Sequence, residues 1–64
     1  MRWHIESNFN FINAKGEEQH ETRVYEGWID GIDTEMEARM WHENRIMERY
    51  HVVGPIETEA KKED

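Results

Sequence analysis

Arg2-Trp3-His4-Ile5-Glu6-Ser7-Asn8-Phe9-Asn10-Phe11 is the stretch that decides the fold. Trp3, Ile5, Phe9 and Phe11 share one parity, and His4, Glu6, Asn8 and Asn10 share the other. Neighbouring side chains on a strand point to opposite faces, so this period of two predicts a half-buried β-strand. Ser7 alone interrupts its apolar side. Moving outward, Asn13-Ala14-Lys15-Gly16 supplies turn chemistry, with Gly16 free to take a positive φ. A second strand is expected from about Glu21 to Ile29, rich in Thr22, Val24, Tyr25, Trp28 and Ile29, closing a hairpin. Its core face is undeclared. Val24 and Trp28 lie on one parity and Tyr25 and Ile29 on the other, so each face carries a large aromatic, while only one can cover a core.

Asp30-Gly31-Ile32-Asp33 then turns the chain into a helix. Thr34-x-x-Glu37 has the capping-box pattern, and Glu35 and Glu37 fall in the electropositive first turn. The helix is expected from Glu35 to about Tyr50, with Glu35 and Arg39 as a favourable i,i+4 pair. A third strand should run from His51 to about Thr58. Pro55 has no N–H for a ladder, so with Gly54 it makes this strand short, bulged or at an edge. Residues 1–58 are expected to form a single domain and 59–64 a charged, frayed tail. The fold class is α+β, in ββαβ order, with one long helix packed on a three-stranded antiparallel or mixed sheet.

The helix is apolar on two sides. Met36, Met40, Met47 and Tyr50 form one stripe that includes Glu43; Ala38 and Trp41 lie opposite, with Ile46 on a flank and Arg45 between. One side must pack on the sheet, leaving the other as a contact surface. Methionines at helical spacing usually fill cores, so the expected assignment turns the Met/Tyr stripe inward and Trp41 outward. The opposite assignment would leave an adaptable methionine ridge outside.

Size and charge narrow the function. A 64-residue chain buries only about 60% of its unfolded surface and has little stability to spare. It has no cysteine, so neither a disulfide nor a cysteine zinc site can staple it. Fifteen acidic residues against eight basic ones give a formal charge of −7, which disfavours direct nucleic-acid binding and attracts a basic partner protein. Met1-Arg2-Trp3-His4 does not open a signal peptide, and no stretch reaches the roughly 20 apolar residues of a membrane span, so a cytoplasmic protein is expected.

Catalytic chemistry finds no support. Ser7 is the only serine and lacks a nucleophile-elbow context, and no glycine-rich phosphate loop is present. His4, His20, His42 and His51 are scattered; His42-Glu43 is followed by Ile46 where a zinc-protease motif needs a second histidine. No catalytic residue, metal ligand or cofactor is therefore assigned. The expected partner contacts are Trp41, Arg45, Ile46, Trp28 and Glu37, because indoles and arginines dominate interface energetics and a buried Trp41 would carry about 2 kcal/mol or more.

In layout, the hairpin, the Thr34/Glu37/Ala38 helix start and the strand carrying Gly54-Pro55 resemble small, acidic phage-encoded host-takeover proteins, among them inhibitors of bacterial RNA polymerase. Arg45 and Met47 depart from the simpler helix of that group, and no contact residue is carried over. The resemblance implies a non-enzymatic inhibitor of a host nucleic-acid-handling or defence protein. A homo-oligomeric structural protein, such as a homodimer burying its second apolar face, and a small-ligand sponge are the alternatives.

Overall fold

The structure, a computed structural model, describes residues 1–63. Strand β1 (Arg2–Ile12) and strand β2 (Glu18–Trp28) form the hairpin, helix α1 (Glu35–Arg49) follows, and strand β3 (His51–Lys62) returns beside β1. All pairings are antiparallel, in the order β2-β1-β3, so the alternating first strand is central and both others are edges. The α+β class and ββαβ order are as the sequence indicates. Eleven-residue strands span about 37 Å and the 15-residue helix about 22 Å. The helix therefore cannot cover the full sheet, and the molecule is elongated, 41 × 17 × 15 Å.

The hairpin turn is built on Asn13. Its side-chain oxygen accepts from the backbone N–H groups of Lys15 and Glu17, both at 2.9 Å, and Gly16 takes φ 80°. This tight local closure fixes the register that pairs Ile12 with Glu18 and Trp3 with Gly27. It also begins β2 earlier than the expected Glu21, since Glu18, Gln19 and His20 are zipped to β1 despite being polar on both faces. The inner face of β2 is the Tyr25 face; Val24 and Trp28 point to the open side, 53% and 63% exposed.

β3 is bulged and at an edge, as Gly54-Pro55 implies, but it is not short. Asn10 pairs with Val53 and Asn8 with Glu57, so Gly54, Pro55 and Ile56 all oppose Phe9 in a bulge, with Gly54 at φ 76°. Two extra residues preserve parity, and the strand continues beyond Thr58 to Lys62. The segment expected as a frayed tail is thus ordered through Glu63: Ala60 is buried opposite Ile5, and the Glu63 N–H donates to the Arg2 carbonyl at 2.9 Å. Asp64, the last residue of that expected tail, lies outside the described residues.

The helix begins as its cap predicts. The Thr34 hydroxyl oxygen accepts from the Glu37 N–H at 3.2 Å and the hydroxyl donates to the Glu37 carboxylate at 2.9 Å. Its orientation overturns the expected assignment. Ala38, His42 and Ile46 are buried, whereas Met36, Met40 and Met47 are 69%, 57% and 53% exposed. Two physical reasons decide this. Ala38 ends at Cβ and lets the helix approach Trp3 and Ala60 closely. Ser7, fully buried on β1, meets Thr58 Oγ1 at 2.7 Å, and His42 Nδ1 at 2.8 Å gives it a second polar partner that a methionine on the helix could not.

The core is consequently in three parts along the strands. Trp3, Ile5, Ile29, Ala38 and Ala60 form the apolar cluster, and the Trp3 indole N–H donates to the Ile32 carbonyl at 3.3 Å. Ser7, His42 and Thr58 form a polar centre. Beyond them Tyr50 meets Phe9 and Phe11 edge-on and the two phenylalanines are tilted to each other, with centroids 5.0–6.0 Å apart. Among the described residues, no helix is long and apolar enough to cross a membrane.

Candidate functional site

The five expected contact residues do not share one surface. Ile46 is 4% exposed and belongs to the core, because it continues the inward Ala38–His42 stripe. Trp41 is half-buried, edge-to-face on Tyr25 at 4.8 Å, and the Arg45 guanidinium lies over its ring at 4.8 Å. Trp28 is exposed at the end of β2, its indole N–H donating to Asp30 at 3.0 Å. Glu37 is exposed and engaged in the cap. Trp41 and Arg45 are therefore together, Trp28 faces the opposite side of the sheet, and Ile46 is inside.

The methionines form the exposed apolar ridge instead. Met36, Met40 and Met47 fall within about 40° of one another around the helix axis, with Glu43 among them, Glu37 and Glu48 along one margin and Arg39 along the other. Toward the helix end the ridge descends into a shallow depression bordered by Met47, Tyr50, Val52, Gly54 and Ile56, so the bulge of β3 extends the apolar surface. The periodicity shows this stripe in the sequence; its outward direction follows from the inward packing of Ala38, His42 and Ile46.

Ser7 and His42 resemble a catalytic pair only in composition. Ser7 Oγ is 2.8 Å from His42 Nδ1 and 2.7 Å from Thr58 Oγ1, yet Ser7 is fully buried, so no substrate carbonyl reaches it. Burial, reinforced by the charges of Arg45 and Arg23 and opposed by that of Glu43, holds the His42 pKa below the ordinary histidine value. The Ser7 hydroxyl bridges His42 Nδ1 and Thr58 Oγ1, and with His42 neutral either ring tautomer completes the chain. At the far end of the core, the Tyr50 hydroxyl donates to Glu21 at 2.5 Å, which raises the Tyr50 pKa.

Register also assembles one set of metal-type donors that reading the sequence did not anticipate. His4 and Glu26 are direct cross-strand partners, 3.5 Å apart, and Glu63, just past the end of β3, joins them from the other side of β1, so that one donor atom from each lies within 4.8 Å of the others. The signal was strand parity, hidden because Glu63 was assigned to a tail. The three sit on the open face of the sheet and can offer at most three ligands to a cation.

Comparison of the chain with protein-family models, with curated proteins and with solved structures gives no match.

Proposed function

We propose that this chain is a small, non-enzymatic protein-binding module that holds a basic partner against the outer face of α1. The observation that carries the proposal is the exposed ridge of Met36, Met40 and Met47, rimmed by Glu37, Glu43 and Glu48, on a chain of formal charge −7. Methionine side chains are unbranched and polarizable, so they adapt to a partner's apolar contour, while the surrounding carboxylates steer encounter with a basic surface. A host nucleic-acid-handling protein, inhibited by occupation of its basic surface, is the partner class that fits both features and the resemblance in layout.

The test compares the parent chain with Met36→Gln/Met40→Gln/Met47→Gln, whose fold is checked by circular dichroism. Each is used to capture partners from bacterial lysate, and the captured protein is then purified and titrated calorimetrically at low and high salt. One stoichiometric basic partner, bound at least about tenfold more weakly by the variant and weakened by salt, is the expected result. Equal affinity for the variant, or self-association with no other protein bound, overturns the proposal.

A further inference from the structure

A second feature lies on the opposite flank of the helix and is independent of the methionine ridge. Because α1 rests over β3 and β1, the inner face of β2 is only partly covered. Between helix and strand runs a groove of about 100 Å³ whose lining includes Arg23, Tyr25, His42, Arg45, Arg49 and Tyr50. Three of the eight basic residues of an acidic chain converge here, and among the described residues no carboxylate lines the groove, Glu21 lying beside it against Arg23 and Tyr50.

The arginines are poorly neutralised. Arg23 has Glu21 at 3.8 Å, but that carboxylate also takes the Tyr50 hydroxyl hydrogen bond. Among the described residues, neither Arg45 nor Arg49 has a carboxylate within 4.0 Å. Fifteen acids were available to the chain, so three guanidinium groups around one concavity, with only Glu21 against them, is a specific arrangement. Arg45 is also seated in advance: it lies over Trp41, which rests on Tyr25. His42 faces these charges: burial first, and then Arg45 and Arg23, lower its pKa. With Nδ1 bound to Ser7 and no buried polar side-chain atom left unpartnered among the described residues, Nε2 of His42 is the ring nitrogen left to the groove that His42 lines.

We propose that this groove binds a single phosphoryl group, with Arg23, Arg45 and Arg49 supplying the charge and His42, in its Nε2–H tautomer, a further donor. Guanidinium forks match the tetrahedral oxygens of phosphate, and several of them suit a dianion where a carboxylate needs only one. The concavity has room for the phosphoryl group and not for a nucleoside around it. A nucleic-acid backbone is disfavoured, since its successive phosphates would extend over the acidic remainder of the surface. A lone phosphoryl group meets the arginines at contact, while charges more than about 8 Å away are screened at physiological salt. The phosphoryl group is either free or carried as a monoester.

Heteronuclear NMR titration of the full chain with inorganic phosphate, at constant ionic strength against chloride, tests the site. The expected result is saturable shifts confined to the Arg23, Arg45, Arg49 and His42 side chains, with a dissociation constant of about 1 mM or tighter. Arg45→Gln and Arg49→Gln, both at exposed positions, should each weaken binding by about tenfold, and Arg39→Gln, outside the groove, should leave it unchanged. A parallel arm with glycerol phosphate separates the sources: tighter binding than inorganic phosphate identifies a monoester, and weaker binding the free ion. Shifts that stay linear and match those of chloride, or unchanged affinity in both groove variants, overturn the proposal.

Discussion

Ser7 Oγ and His42 Nδ1 meet at 2.8 Å in the middle of the sheet–helix interface, where every neighbouring layer is apolar or aromatic. The pair joins the central strand to the helix and fixes which helix face turns inward. Ser7→Ala should lower unfolding free energy by about 1–3 kcal/mol, because His42 and Thr58 both lose a partner in a buried setting. Urea unfolding followed by tryptophan fluorescence measures it. A loss under about 0.5 kcal/mol would mean that the network does not orient the helix.

The same histidine makes stability pH-dependent. Its folded pKa lies below the unfolded value of 6.5, chiefly through burial and then through Arg45 and Arg23, with Glu43 opposing. Between the two values the unfolded chain binds more protons, so stability rises with pH. The contribution is complete above about 6.5 and is lost as pH falls from there through the folded pKa. Urea midpoints measured from neutral to mildly acidic pH should therefore decline, and His42→Asn should flatten that part of the decline. An identical slope in the variant would assign it to other groups.

How legible the fold was depended on whether local pattern and tertiary demand agreed. β1 was readable because its alternation and its central place in the sheet impose the same period. The Asn13–Gly16 turn and the Thr34 cap were readable because their chemistry is local. The helix face was not, since four apolar side chains outweigh Ala38, His42 and Ile46 on any hydrophobicity count, while close approach and hydrogen bonding favour the smaller, more polar stripe. Ser7 on the inner face was a partial clue: a buried hydroxyl calls for polar partners, and Thr58 on β3 and His42 on the helix supply them. Similarly, Ala60 shares parity with Thr58, but the Gly54-Pro55 interruption hid the continuation of β3. The contact list inherited the error, which is why Ile46 lies in the core and the methionines outside. The arginine groove needed both the helix face and the β2 face before Arg23, Arg45 and Arg49 could be brought together.

Gly27 is held under the Tyr25 ring. It pairs with Trp3 at φ 156°, and the Tyr25 hydroxyl reaches over it to donate to the Trp28 carbonyl at 2.9 Å. A Cβ on Gly27 would lie 3.2 Å from that hydroxyl oxygen. Gly27→Ala should cost more than about 1 kcal/mol, from backbone conformation and crowding together. In Tyr25→Phe the crowding atom is gone, so the double variant should lose less than the sum of the singles. Additive losses in a double-mutant cycle would place the whole cost in the backbone.

Trp41 separates packing from partner contact. Half-buried between Tyr25 and Arg45, it contributes to the helix–β2 contact before any partner arrives. Fully buried tryptophans lose about 3–5 kcal/mol on truncation to alanine, so Trp41→Ala should lose roughly half of that, about 2 kcal/mol, in unfolding experiments. On a chain of this size such a loss leaves a substantial unfolded fraction, and reduced binding by that variant alone would not identify a contact. Trp41→Phe keeps an aromatic edge for Tyr25 and a face for Arg45, and should recover most of the stability. If the partner docks on the methionine ridge, Trp41→Phe binds with parental affinity. Stable folding with binding lost in Trp41→Phe would move the contact surface to the Trp41 flank.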